Sequence, residues 1–374
     1  MAGAWTWLRN GSEAFPAMLG AIEAARESVH LEMYIYSPDS LGERFRRALL
    51  GARRRGARVR VLVDGLGSMD LPAVWWDELR AAGGEVRVFN PLALRRLGIR
   101  DHRKLLVCDG REAFIGGFNI SSEYEGDGVS AGWLDLGLKL EGPLVGALET
   151  GFNEMFEGAD FRIKGFMRLH RSRSRKAAPA PREHLFLSGP GWGRSPLKSA
   201  LRADFSRARS LDIMTAYFLP SLRQRRQLMR LARHGGRVRL LLSAKSDVAV
   251  SQLAARSLYR RLLKAGVEIY EYEPQVLHAK LIIADNAVYA GSANLDHRSL
   301  NINYELMARI EDPAAAAQAR GIFQESLLHS QRITLEAWVR SGTVWRRLKE
   351  HWAYFLLARI DPFLARRQWR ARAD

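Results

Sequence analysis

The chain has 374 residues, 47% of them hydrophobic and 26% charged. That is enough for two ordinary domains and excludes a wholly disordered polymer. Its single cysteine, Cys108, excludes an intramolecular disulfide and favours a reducing compartment. The net charge of +18 is concentrated: residues 162–182 hold eight Lys or Arg and no acid, and residues 331–374 hold ten against four acids. This distribution points to a polyanionic partner, either a membrane surface or a nucleic acid.

Met1–Asn10 lacks the basic stretch and apolar core of a signal peptide. No uncharged apolar run approaches the roughly 18 residues that cross a bilayer, so a soluble or peripheral protein is expected. Apolar spacing predicts a helix over Met18–Ser28, followed by a strand in VHLEMYIY from Val29. A second helix is predicted over Leu41–Arg55, again before a strand. A third, over Val74–Ala82, precedes the strand Val86–Phe89. Such alternation predicts a largely parallel sheet with helices on its faces.

The pattern then recurs about 180 residues later. VHLEMYIY is echoed by LDIMTAYF from Leu211, ARRRGARVRVLVDG from Ala52 by ARHGGRVRLLLSAK from Ala232, and EVRVFNP from Glu85 by EIYEYEP from Glu268. The fold class expected is therefore α/β, with two similar α/β/α sandwich domains related by a pseudo-twofold axis. We delimit a first domain at 1–165, a basic linker at 166–185 rich in Arg, Ser, Ala and Pro, a second domain at 186–333, and a basic Trp-rich segment at 334–374.

The repeat is closest where chemistry is concentrated. DHRKLLVCDGREAFIGGFNIS from Asp101 and LHAKLIIADNAVYAGSANLD from Leu277 share His-x-Lys-x4-Asp: His102, Lys104, Asp109 and His278, Lys280, Asp285. A small-residue turn and an Asn follow: Gly116, Gly117, Asn119 and Gly291, Ser292, Asn294. His and Lys two apart on a strand share a face. The Gly117 and Ser292 turns, with Asn119 and Asn294, are expected to donate hydrogen bonds to phosphate oxygens beside Lys104 and Lys280. A single match would be weak evidence, but two at equivalent places in a repeat are not accidental. Asp135, in GWLDLGLKLEGP, and Glu305, in NINYEL, follow their histidines by 33 and 27 residues and are candidate tautomer-fixing partners. The nine histidines do not cluster at ligand spacing, so no metal site is expected.

These motifs resemble the phospholipase D superfamily over nearly the whole chain. HLEMYIY from His30, RGARVRVLVDGLGS from Arg55, IGGFNIS from Ile115, HAKLIIAD from His278 and GSANLDHRSLNINYEL from Gly291 are similar to bacterial cardiolipin synthases, especially the type without transmembrane helices. The resemblance implies two domains with both histidines facing one active site at their interface, and phosphodiester transfer through a phosphohistidine without metal or cofactor. It implies crosswise pairing, Glu305 with His102 and Asp135 with His278, with His102 as nucleophile and His278 as acid. Asp109 and Asp285 are expected to support the site's fold rather than move protons.

The substrates so implied are phosphatidylglycerol and other anionic phospholipids. Two phosphatidylglycerols give cardiolipin and glycerol, on the cytoplasmic side of the cell membrane. Hydrolysis to phosphatidic acid is the alternative, and a nuclease ranks below both. A catalytically silent binder is disfavoured because all six motif residues are present. In the tail, Trp338, Trp345 and Trp352 recur every seven residues, with Leu348, Phe355 and Leu356 beside them. Arg346, Arg347 and Lys349 lie outside that stripe, and Pro362 is expected to end or kink the segment. A basic helix with a Trp-rich face suits a bilayer interface.

Overall fold

The computed structural model describes residues 4–91, 98–159, 183–190 and 195–360. The basic segment 162–182 and Pro362 lie outside these. The first half runs β1 (Ala4–Leu8), α1 (Gly11–Ala24), β2 (Ser28–Met33), α2 (Ser40–Arg54), β3 (Arg58–Asp64), α3 (Asp77–Ala81), β4 (Glu85–Phe89), β5 (Lys104–Cys108), β6 (Glu112–Gly116), β7 (Gly137–Glu141) and α4 (Pro143–Glu157). The second half contains β8 (Glu183–Ser188), α5 (Pro196–Arg207), β9 (Ser210–Thr215), α6 (Leu222–Arg233), β10 (Arg237–Ser243), α7 (Ala249–Leu263) and β11 (Glu268–Tyr272). It continues with β12 (Lys280–Ala284), β13 (Ala287–Gly291), α8 (His297–Asn301), β14 (Glu305–Glu311), α9 (Pro313–Leu328), β15 (Ser330–Ile333), α10 (Leu335–Arg340) and α11 (Val344–Phe355).

Two sheets result, ordered β1-β7-β6-β5-β2-β3-β4 and β15-β11-β10-β9-β12-β13-β14-β8. Each is mixed, which corrects the largely parallel sheet expected. Only β2-β3-β4 and β9-β10-β11 run parallel. The remaining ladders are antiparallel: β5 and β12 run against β2 and β9, and each then turns back through a hairpin into β6 and β13. The first hairpin turns at Asp109-Gly110, both at positive φ (53° and 62°), as tight hairpin turns require.

Boundaries shift where capping decides. The first helix starts at Gly11 because the Asn10 side chain accepts from Glu13 N, and it stops at Ala24. Only Asp77–Ala81 of the third predicted helix forms. Residues 183–185, assigned to the linker from sequence, begin β8.

Strand alternation divides the core. On β5, Leu105 and Val107 face an inner cluster, while Leu106 and Cys108 face the outer cluster under α1 and α2. On β12, Leu281 and Ile283 face inward, and Ile282 and Ala284 face a third cluster under α5 and α7. The inner cluster also takes Phe152 and Met155 of α4 and Phe323 of α9. The two halves are therefore joined through one continuous apolar core, which holds their motif strands in fixed relation.

Candidate active site

The residue preceding each histidine forms a backbone bridge to the residue preceding the other half's acid: Asp101 to Tyr304, and Leu277 to Leu134. His102 N donates to Tyr304 O at 2.9 Å, and His278 N donates to Leu134 O at 2.7 Å. One residue further along, the side chains meet crosswise. His102 Nδ1 lies 3.1 Å from Glu305 Oε2, and His278 Nδ1 lies 2.7 Å from Asp135 Oδ2. Both carboxyls are completely buried. With each Nδ1 against its carboxyl, Nε2 is the ring nitrogen turned away from the acid on both histidines.

Both histidines line one cavity of about 330 Å³, with Asn119 and Asn294 on its wall. Lys104 Nζ donates to His102 O at 2.8 Å and sits 5.0 Å from the Tyr34 ring centre. Lys280 Nζ lies 3.0 Å from His278 Nε2. Burial pulls both ammonium groups down, Lys104 to about 7 and Lys280 to about 8. The buried Glu305 and Asp135 carboxyls oppose that pull on both lysines.

The two His–carboxyl pairs are electrostatically unequal. Burial pushes Glu305 up to about 7, against the pull of Lys104 and the Ser292 hydroxyl. Burial also pushes Asp135 up, but Lys280, His278 and the hydrogen bonds it accepts outweigh this and hold it below the usual range. His102 is driven well below 6.5 by burial and by Lys104, Lys280 and His278. His278 is lowered by burial and Lys280, with Asp135 opposing.

Three of the four expected phosphate donors are used otherwise, and the fourth, Asn294, is engaged through its Oδ1. Gly117 N donates to Leu136 O, and Ser292 N to Leu306 O, so neither amide is free for an anion. Gly117 lacks a side chain for a steric reason: a Cβ there would stand 2.1 Å from Asp135 Oδ1. The Ser292 hydroxyl donates to Glu305 Oε2. Asn119 Oδ1 accepts from Ile35 N while its Nδ2 donates to the Tyr124 hydroxyl at 2.7 Å. Asn294 Oδ1 accepts from the Thr215 hydroxyl at 3.2 Å. These residues shape the wall and orient the acids.

Asp109 and Asp285 stand seven residues beyond their histidines, roughly 20 Å away along extended chain, and neither lines the cavity. Asp109 accepts from the amides of Arg26, Glu27 and Ser28, and Asp285 from those of Arg209 and Ser210. Each pins a helix–strand junction to the hairpin. Several cavity residues are not among the predicted site residues: Tyr34, Tyr124, Trp133, Tyr217, Asp247 and Arg298. Tyr34 packs edge-on to His102, and Tyr124 and Trp133 pack around His278. Trp133 stands two residues before Asp135, the one local signal that could have marked it. Among the described residues, no three His, Cys, Asp or Glu side chains converge as a metal-ligand set.

A duplicated mixed-sheet fold with one His-x-Lys pair from each half at a shared cavity is the arrangement of phospholipase D-like proteins. The family profile described as cardiolipin synthase, PLD-like domain, matches residues 18–126 and 201–327. The major cardiolipin synthase ClsA of Bacillus subtilis is 34% identical over 364 residues, covering 92% of this chain and 72% of that protein. Cardiolipin synthase B of Escherichia coli is 33% identical over 313 residues, covering 82% of this chain and 76% of that one. The chain belongs to the cardiolipin synthase family. Among solved structures, phosphatidylserine synthase from Haemophilus influenzae shares the fold, with a TM-score of 0.75 at 15% identity over 96% of this chain and 94% of that one.

Proposed function

We propose that the protein is a phosphatidyltransferase that converts two phosphatidylglycerols to cardiolipin and glycerol. The observation that carries this is the pair of crosswise His–carboxyl contacts meeting at one cavity in a chain of the cardiolipin synthase family.

His102 Nε2 attacks the phosphorus of the first phosphatidylglycerol while Lys104 and Lys280 neutralise the phosphoryl oxygens. The bond from phosphorus to the departing glycerol oxygen breaks, and His278 gives that oxygen its Nε2 proton. The terminal hydroxyl of a second phosphatidylglycerol then loses its proton to His278 and attacks phosphorus, breaking the P–N bond and freeing His102. The low-lying Asp135 carboxylate draws His278 toward the imidazolium against burial and Lys280, whereas Glu305 Oε2 accepts the His102 Nδ1 proton and leaves Nε2 bare and nucleophilic. Asp247 and Asp296 line the same cavity and offer acceptors to glycerol hydroxyls. Exchange of one phosphodiester for another needs no nucleotide or other cofactor.

The substrates are membrane lipids, and the enzyme works as a peripheral protein on the cytoplasmic face. Among the described residues, no helix is long and apolar enough to cross a membrane. The α11 helix presents Trp345, Leu348, Trp352 and Phe355 to solvent, and Leu357, just beyond it, lines the catalytic cavity. An apolar helix face beside the cavity mouth directs that mouth at the bilayer. Trp338, placed on the same face from sequence, packs instead on Tyr259 and under Arg346, because the segment breaks at 341–343 into two helices.

The test is product analysis with purified protein, vesicles of phosphatidylglycerol labelled in both the phosphate and the headgroup, and a chelator. Cardiolipin with released glycerol is expected. Phosphatidic acid alone would make the enzyme a hydrolase. Cleavage of a nucleic-acid control without lipid turnover would overturn the lipid assignment.

A further inference from the structure

We propose that the cleft between α7 and the α10–α11 pair binds the phosphate headgroup of an anionic phospholipid, at a site separate from the catalytic cavity. Five guanidinium groups line this cleft of about 180 Å³: Arg256, Arg260 and Arg261 from α7, and Arg346 and Arg347 from α11. Glu350 is the one carboxylate among its lining residues. Two of the five arginines are already held. Arg256 makes a bidentate contact with Glu271, at 3.0 and 2.9 Å, and Arg346 contacts Glu350 at 2.9 Å while lying over the Trp338 ring. Arg260, Arg261 and Arg347 have no carboxylate partner among the described residues. Arg256 and Arg260 stand one helical turn apart on α7, where like charges repel. Convergent guanidinium groups become favourable when they share a phosphate, whose oxygens match their fork geometry.

The surroundings choose the lipid over free phosphate. Arg347 and His351 flank the outward face of α11, where Trp345 and Trp352 are 76% and 67% exposed. Ala353 and Glu350, on the opposite side, are buried. A headgroup seated in the cleft would send its acyl chains along that apolar face. The site would therefore hold the enzyme on membranes rich in its own class of substrate and product. The inference rests on the bilayer-facing role of α11, and the experiment below separates the two.

Partition of the full chain onto phosphatidylcholine vesicles, with and without phosphatidylglycerol, is measured for the parent and three variants. The first, Arg260→Gln/Arg261→Gln/Arg347→Gln, should lose about 100-fold of its partition onto anionic vesicles. The second, with Lys at the same three positions, keeps every charge but loses the planar forks and should fall about tenfold. The third, Trp345→Ala/Trp352→Ala, should also leave the vesicles. Hydrogen exchange in the parent should show protection of 256–261 and 343–351 by vesicles and by water-soluble short-chain phosphatidylglycerol. The Trp variant should keep the second protection.

Lys-variant partition equal to the parent would reduce the cleft to diffuse attraction and overturn the proposal, even if the Trp variant shows that α11 docks. Retained partition of the Trp variant would instead remove α11 from the membrane. Equal protection by inorganic phosphate would make this a free-phosphate site and overturn the lipid assignment. Matched thermal melts of all variants, whose altered side chains are exposed, show that the fold is kept.

Discussion

Replacing Gly117 with Ala adds one methyl group at the point where the two halves exchange partners. The new Cβ would stand 2.1 Å from Asp135 Oδ1 and 2.6 Å from Oδ2, far inside van der Waals contact. Asp135 is completely buried and also accepts from Leu136 N at 2.7 Å, so the carboxyl has little room to yield. It must turn away from His278, and the 2.7 Å contact between them is lost. A hydrogen bond to a charged group is worth about 1.5–3 kcal/mol. At 1.36 kcal/mol per tenfold, turnover should fall about 10- to 150-fold. Overpacking should also cost about 1–3 kcal/mol of stability, read by urea unfolding.

The matched control is Gly146→Ala at an exposed position of α4, where an added Cβ meets nothing within 4 Å. It should raise stability by about 1 kcal/mol through helix propensity and leave turnover unchanged. The assay is initial-rate cardiolipin formation from labelled phosphatidylglycerol vesicles. Turnover of the Gly117→Ala protein within threefold of the parent would refute the dependence of His278 on Asp135.

Further perturbations separate catalysis from fold. Either His102→Ala or His278→Ala should reduce turnover at least about 10³-fold. Enzyme incubated with phosphorus-labelled substrate and quenched in alkaline denaturant, where a P–N bond survives, should retain covalent label in the His278→Ala protein and none in the His102→Ala protein; the reverse would exchange their roles. His30 is buried against the Phe152 ring, and burial pulls it down to about 4. The unfolded chain takes up a proton at its ordinary value near 6.5 while the folded chain does not. Stability should therefore fall by roughly 3 kcal/mol as pH drops from 6.5 to 4; His30→Leu should flatten that part of a melting-temperature profile. Burial raises the Cys108 thiol, so native protein at pH 8 should resist a disulfide-exchange reagent that reacts at once in denaturant.

The chemistry was legible because it is written twice. His102, Lys104, Asp109 and their counterparts could be read from spacing alone, since strand geometry puts His and Lys on one face whatever the tertiary fold. What spacing cannot supply is the occupancy of backbone amides. Gly117 and Ser292 fit a phosphate-binding turn until the ladder shows their amides donating to Leu136 and Leu306. The same limit applied to sheet direction. Strand–helix alternation correctly marks β2-β3-β4, but β5 enters antiparallel to β2 and the Asp109-Gly110 hairpin reverses the chain again into β6. Tyr34 and Trp133 join the cavity only through contacts between residues remote in the chain. In the tail, a heptad stripe read as one helix, but the break at Ser341-Gly342 sends Trp338 inward and leaves Trp345 and Trp352 outside.

Duplication alone would give two equivalent histidines, and a transfer reaction needs them to differ. The differences sit next to the reacting rings rather than on them. Where the first half has Gly117 and Asp135, the second has Ser292 and Glu305. The longer Glu305 reaches His102 while taking a hydroxyl bond from Ser292, and burial still holds it near neutrality. The shorter Asp135 is crowded by nothing at Gly117, takes Leu136 N and His278, and stays ionised. One methylene and one hydroxyl thus separate a carboxyl pushed up to about 7 from one held below its usual range. On this account Gly117 and Ser292 position the acids and touch no phosphate. Exchanging the two acids as Asp135→Glu/Glu305→Asp should not simply swap the histidines' roles, because Gly117 and Ser292 would remain matched to the wrong partners.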